Sequence, residues 1–249
     1  MSPIVIHSLQ KELAPPVVPK PAEAPLHYGA GAGRAASQKP VRSNAVRLGH
    51  TKRIKNREKD WYAGLEMSKR ILLVTGDAGE GYEALYAYHR FQEEGMTPVL
   101  AAPSKRRLHL VMHDFEPGWD TYVERPGYCL EADIAFDQVN PADYDGVLIL
   151  GGRAPEFLRH NQKLIEIVGQ LHEAGKWVMA ICHGIQVLIA AGVVRNRCVT
   201  CYENVRHEVE LAGGSYIRAQ AHRDGNLITA QTWQSHPEFY RLVMSCLRS

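Results

Sequence analysis

Two apolar runs meet between Lys176 and Gly192 with no residues to spare for a loop. Trp177 to Ile181 is an apolar run of strand length, and His183 to Ala191 carries apolar residues at helical spacing, Ile185, Leu188 and Ile189. Only Cys182-His183-Gly184 lies between them. A strand that passes directly into a helix turns sharply, and the residue at the apex is pushed out above the sheet over a helix N-terminus, the geometry of a nucleophile elbow. The free N–H groups and positive dipole end of that helix favour a thiolate, so the sequence predicts a nucleophilic Cys182 with a lowered pKa. Gly184, without a Cβ, lets the chain crowd the turn. The competing reading is an inert buried cysteine at a strand end.

The rest of the chain repeats the strand and helix alternation. Arg70 to Thr75 reads as a buried strand, Gly76-Asp77-Ala78-Gly79 as a tight turn, and Glu80 to Glu94 as a helix with Ala84, Leu85, Tyr88 and Phe91 on one side and Gly95 as its cap. Thr97 to Ala102 is a second strand. From Leu108 to Ile134 the pattern changes to short antiparallel pieces joined at Pro117-Gly118 and Pro126-Gly127. Gly146 to Leu150 is a strand that runs into Gly151-Gly152-Arg153-Ala154-Pro155-Glu156, and Asn161 to Ala174 is a helix ended by Gly175. After the elbow the pattern predicts a strand over 197–202, a helix over 203–212, short strands near 215–221 and 226–231, and a last helix over about 235–248. Strands separated by such helices build a parallel sheet with right-handed crossovers, and the site of such a sheet lies at the carboxyl ends of its strands.

Three turns that follow strands therefore converge: those at Glu80, Gly152 and Cys182. Gly151 and Gly152 offer backbone N–H groups to developing negative charge, with the N–H of His183 as a further donor. His183 is either a proton carrier or a structural hydrogen-bond partner, because a residue next in sequence does not easily face its neighbour's sulfur. Glu80 either caps its helix or sits beside Cys182 and exchanges a proton with it. Glu156 is either a first-turn acid or a second acid/base. His207 and His236 follow strand ends, and both read first as structural.

Composition excludes several classes. The chain has 249 residues, 45% hydrophobic and 22% charged, enough for one sizeable domain. No apolar run approaches the ~20 residues of a membrane-spanning helix, and Met1-Ser2-Pro3 does not begin a secretory signal. Five scattered cysteines, Cys129, Cys182, Cys198, Cys201 and Cys246, do not make a disulfide scaffold and favour a reducing, cytoplasmic compartment. Cys198-Val199-Thr200-Cys201 lacks the further ligands that zinc needs, so no metal is expected. The net charge of +2 divides unevenly: residues 1–66 hold eleven Lys and Arg against five Asp and Glu, while the remainder holds eighteen against twenty-two. With Pro15-Pro16, Pro19, Pro21 and a Gly/Ala-rich stretch, residues 1–66 read as a disordered basic tail preceding a domain over 67–249. The tail has no helix-turn-helix pattern and is read as a solvated linker, not a nucleic-acid arm. Met67 as the true start is the other reading.

The motifs resemble those of the ThiJ/PfpI (DJ-one) superfamily: Ala180-Ile181-Cys182-His183-Gly184, preceded by Gly151-Gly152-Arg153-Ala154-Pro155-Glu156, with Glu80 after the first strand. His113-Asp114-Phe115, the stretch from Gly127 to Ile134, and Ser235-His236-Pro237-Glu238-Phe239 are most similar to the plant-type DJ-one-d branch. The resemblance covers roughly 69–248. It implies a flavodoxin-like α/β sandwich of the class I glutamine-amidotransferase type, with a mainly parallel sheet. It implies Glu80 hydrogen-bonded to Cys182, with His183 and Glu156 nearby. For activity it implies a cofactor-independent glyoxalase III-like lyase (D-lactate dehydratase type) or a deglycase-type enzyme acting on a small 2-oxoaldehyde, with a cysteine peptidase or amidase and a non-enzymatic redox sensor or chaperone as alternatives. It also implies a homo-oligomer, dimer or hexamer, in which a partner subunit stands in for the second domain of the tandem plant proteins.

Overall fold

The computed structural model describes residues 68–249; the expectations for residues 1–66 and for Met67 lie outside the described residues. In chain order the elements are β1 (Arg70–Val74), α1 (Gly81–Glu93), β2 (Thr97–Ala102), β3 (Arg107–Asp114), β4 (Val123–Glu131), β5 (Ile134–Ala135), β6 (Gly146–Ile149), α2 (Ala154–Leu158), α3 (Gln162–Glu173), β7 (Trp177–Ile181), α4 (Ile185–Ala190), β8 (Cys198–Val199), α5 (Arg206–Leu211), β9 (Ser215–Tyr216), β10 (Ala221–Asp224), β11 (Leu227–Ala230) and α6 (His236–Leu247).

Seven strands form the central sheet in the order β10-β11-β7-β6-β1-β2-β5. Every pairing is parallel except β10 with β11. The strands that were read as continuous apolar runs are buried on both faces, which a parallel sheet covered by helices demands. Alternation along β1 assigns its residues to two cores. Leu72 and Val74 pack with Leu164, Ile167 and Leu171 of α3 and Val209 of α5, whereas Ile71 and Leu73 pack with Ala84, Ala87 and Phe91 of α1 and Phe239 and Val243 of α6. Helices thus cover both faces, the α/β sandwich that the alternation predicts.

The chain runs from β1 outward to β2 and later returns to the other side of β1 to form β6. The strand order reverses between β1 and β6, and a crevice opens at their carboxyl ends. The turns after β1, β6 and β7 all lie there.

Two local expectations are corrected. The segment 108–134 makes one long antiparallel hairpin, β3 with β4, not several short pieces. Pro126-Gly127 lies within β4; Pro126 stands opposite Val111 where the register shifts, a bulge at which its missing N–H costs no ladder bond. The strand expected over 197–202 is reduced to Cys198–Val199, because the N–H of Thr200 leaves the ladder and donates to Thr229 Oγ1 at 2.9 Å. The helix that follows begins as a tighter 3₁₀ turn over Glu203–Val205 before α5.

Candidate functional site

β7 ends at Ile181, and Cys182 takes φ +58°, a left-handed conformation that strains any residue with a Cβ. Cys182–Gly184 form a 3₁₀ turn that leads straight into α4. The turn lies against β6: a Cβ on Gly184 would come within 2.4 Å of the Ile149 carbonyl oxygen, so only glycine fits. The strain points the Cys182 side chain into the crevice, where its sulfur is buried and receives the backbone N–H groups of His183 and Gly152.

The positive φ also turns the next residue back. His183 Nδ1 lies 3.4 Å from Cys182 Sγ, although adjacency in sequence argued against such a contact. Burial lowers the His183 pKa to about 4, with the charge of His113 adding to it, so at neutral pH this imidazole is uncharged and free to accept a proton. No carboxylate among the described residues is hydrogen-bonded to His183; Glu208, on α5, instead accepts from Gln186 and Arg159.

The glutamate beside Cys182 is Glu83, not Glu80. The N–H of Gly151 donates to Glu83 Oε2 at 2.6 Å, and a Cβ on Gly151 would meet both Glu83 Oε2 at 2.8 Å and Cys182 Sγ at 3.2 Å. Desolvation raises the Glu83 pKa to about 8, helped by the charge of Glu80 and opposed by the Gly151 N–H; Glu83 is a carboxylic acid at pH 7. The Gly151 N–H is therefore engaged by Glu83, and the donors directed at the sulfur are Gly152 and His183. The expected low thiol pKa is corrected as well. Burial and then the Glu83 charge push the Cys182 pKa up, against the two N–H donors, so the resting pair is thiol and neutral imidazole.

Glu80 has another task. It is the N-cap of α1, accepting from the Tyr82 N–H at 3.2 Å, and its second oxygen accepts from the His113 N–H at 3.2 Å and lies 2.7 Å from His113 Nδ1. His113 Nε2 lies 3.1 Å from Glu124 Oε2, and Glu124 is paired with Arg153 at 2.9 Å. Glu156 is exposed at the start of α2 and stands outside the buried set. His207 is on the surface, bonded to Glu210. His236 is buried far from water, stacked on Tyr86 at 4.5 Å.

Three side chains of the crevice were not singled out as site residues from sequence. Tyr122 meets His113 edge-on at 4.4 Å and His183 at 6.2 Å, Tyr202 lies 5.1 Å from His183, and Glu83 has just been placed. Burial pushes the Tyr122 pKa up to about 12, with the Cys182 charge next in weight. A signal for Glu83 did exist: it lies four residues before Ala87 and eight before Phe91, on the stripe that α1 buries, and an acid on a core-facing stripe is either paired or functional.

Fold and site together define a class: a helix-covered parallel sheet with a strained elbow cysteine at its switch point, met by an acid from the first helix. The model of the DJ-1/PfpI family matches residues 69–246, and the chain belongs to that family. Protein DJ-1 homolog D of Arabidopsis thaliana is 38% identical over 72% of this chain and 48% of its own; the chain spans about half the length of that relative. A deglycase of Pyrococcus abyssi is 38% identical over 65% of this chain and 89% of its own. Among solved structures, a two-domain protein of Anabaena variabilis containing DJ-1/ThiJ/PfpI-like and ferritin-like domains superposes with a TM-score of 0.63 at 25% identity, covering 72% of this chain and 48% of its own. DJ-1 of Schizosaccharomyces pombe superposes with a TM-score of 0.60 at 19% identity, covering 72% and 92%, a likeness of fold. No helix among the described residues is long and apolar enough to cross a membrane.

Proposed function

We propose that this chain is a cofactor-independent glyoxalase or deglycase-type enzyme that uses Cys182 on small 2-oxoaldehydes, as a homo-oligomer in the cytoplasm. The observation that carries the reading is the Cys182 thiol itself: a neutral imidazole stands 3.4 Å from the sulfur, two backbone N–H groups point at it, and a protonated Glu83 lies alongside. Relatives named as deglycases, 36–38% identical, support it.

In this mechanism the thiol gives its proton to His183 Nδ1 as the sulfur bonds to the aldehyde carbon of methylglyoxal, forming a hemithioacetal. His183 passes the proton it took to the new alkoxide and is neutral again; it then takes the hydrogen of that carbon as a proton, protonated Glu83 delivers a proton to the adjacent carbon, and the proton held by His183 returns to Glu83 at the end of the cycle. The N–H groups of Gly152 and His183 hold the negative charge of the enediolate between the two steps. The resulting lactoyl thioester is hydrolysed by water, which restores the thiol and releases lactate. Glu83 takes the place first given to Glu80, because Glu80 is occupied by the α1 terminus and His113. Glu156 takes no proton step.

The test is methylglyoxal consumption with lactate detection, without glutathione or added metal. Wild type should turn over, and Cys182→Ala should lose all turnover above background. A folded wild type that leaves methylglyoxal intact, or one that cleaves amides through a Cys182 acyl-enzyme, would replace this reading with hydrolase chemistry.

A further inference from the structure

His113 is buried, with 6% of its surface exposed, and each of its ring nitrogens faces a carboxylate. Nδ1 lies 2.7 Å from Glu80 Oε2 and Nε2 lies 3.1 Å from Glu124 Oε2. A neutral imidazole has one N–H and one lone pair. It can donate to one of these carboxylates only, and would turn a lone pair toward the other. Two acceptors at hydrogen-bonding distance on opposite sides therefore call for the imidazolium.

The three residues come from different places. Glu80 belongs to the turn before α1, His113 to β3 and Glu124 to the facing position on β4. Nearer the sheet, the hairpin is held by the Ala78 N–H to the His109 carbonyl, by the Val111 N–H to the Gly79 carbonyl, and by the Asp77 side chain, which accepts from the His109 N–H at 2.9 Å and pairs with Arg106 at 2.7 Å. Beyond Val111, side chains tie the hairpin to the body: His113 to Glu80, Glu124 to Arg153, and Phe115 stacked on Trp233, the first two pairs meeting at the His113 imidazole. Tyr122, just before β4, packs edge-on against His113 and faces His183, so the same imidazole positions an aromatic ring over the cysteine crevice.

We propose that His113 is a positioning residue, a proton-dependent clasp that bridges Glu80 and Glu124 and so holds the outer hairpin and Tyr122 over Cys182. The clasp is closed while His113 carries its proton and slackens when the proton is lost. Burial works against the charge, but the bonds to Glu80 and Glu124 outweigh it and the His113 pKa is raised, which places the slackening on the alkaline side of an ordinary histidine. The groups that face this imidazole are Glu80, Glu124 and the Tyr122 ring, with His183 near enough to feel its charge and Arg153 acting through Glu124. That Tyr122 covers a reacting thiol rests on the proposed function; the clasp itself does not.

The experiment is amide hydrogen exchange in the full chain, expressed as protection factors so that the base catalysis of exchange cancels, at about pH 6 and about pH 9. In the wild type, protection over 113–124 should fall about tenfold or more across that interval, while the β6 amides stay unchanged. His113→Asn keeps a donor only toward Glu80, and Glu124→Gln removes the outer carboxylate at a partly exposed site. Both should already show the reduced protection at about pH 6 and little further change. If protection over 113–124 is independent of pH in the wild type, or equal in the wild type and Glu124→Gln, the clasp is overturned. A wild type with the expected exchange and no methylglyoxal turnover would count against the glyoxalase reading and leave the clasp in place.

Discussion

Two acids one helical turn apart, Glu80 and Glu83, meet different surroundings. Glu80 sits at the N-cap of α1, accepting from the Tyr82 N–H and lying 2.7 Å from His113 Nδ1. Glu83 is fully buried with Oε1 unpaired, and there the neutral acid wins. Replacing Glu83 with Gln keeps an oxygen for the Gly151 N–H and removes the ionisable group. Methylglyoxal turnover should fall about 10²- to 10⁴-fold, the range for loss of a general acid or base. Alkylation of Cys182 above about pH 8 should become faster than in wild type, because the ionised Glu83 no longer opposes the thiolate. Unchanged turnover would remove Glu83 from the proton path. The elbow, the paired glycines and an acid after the first strand were all readable from spacing. Which acid reaches the sulfur was not, because Glu80 and Glu83 share a helix start and only the direction of packing separates them. The turn of His183 onto Sγ was hidden for a similar reason: it accompanies the +58° φ of Cys182, which spacing does not reveal.

At the level of elements, helix ends were the most legible feature. The helix read over 161–174 forms as α3 with Asn161 at its N-cap, whose Oδ1 accepts the Leu164 N–H at 3.0 Å. Asn161→Ala should cost about 1 kcal/mol, measured by chemical denaturation, and leave turnover unchanged because α3 lies on the sheet face away from Glu83. The β3–β4 hairpin was less legible. Its residues alternate poorly, since one side lies on the body and the other carries exposed Met112 and Tyr128, and Pro126 mimics a terminator while sitting at a bulge. The shortened strand at Cys198 failed in the same way: Thr229, 29 residues beyond Thr200, supplies the acceptor that ends it.

For the whole molecule, buried titratable groups give a stability profile with a computable direction. Burial lowers the pKa values of His183 and His236 from 6.5 to about 4. The unfolded chain then binds protons that the folded chain refuses, and stability falls as pH drops below 6.5. Glu83 acts oppositely: its folded pKa of about 8 exceeds the 4.5 of the free group, so its contribution is complete at low pH and is lost as pH rises through about 8. Between about pH 4.5 and 6.5 the two histidines outweigh the one acid and stability rises; above that stability falls, Glu83 contributing up to about 1.4 kcal/mol per pH unit. Denaturant midpoints across this range should peak near pH 6.5. Glu83→Gln should flatten the alkaline side, leaving the part that belongs to His113, whose raised pKa has the same sign. A peak that stays equally steep in that variant would show that Glu83 is already ionised in the folded state.

The alternation of strands and helices, the sandwich that follows from it, and the elbow rest on local periodicity and on the absence of room for a loop, and so are written in the chain. The tertiary structure alone decided the chemistry of the crevice. Protonation of Glu83, neutrality of His183, a thiol at Cys182 and the charged bridge at His113 depend on desolvation and on partners brought from other elements, such as Glu80 with His113, 33 residues apart, and Glu83 with Gly151, 68 apart. Burial and long-range pairing set those free energies, and neither is a property of any stretch of chain taken alone.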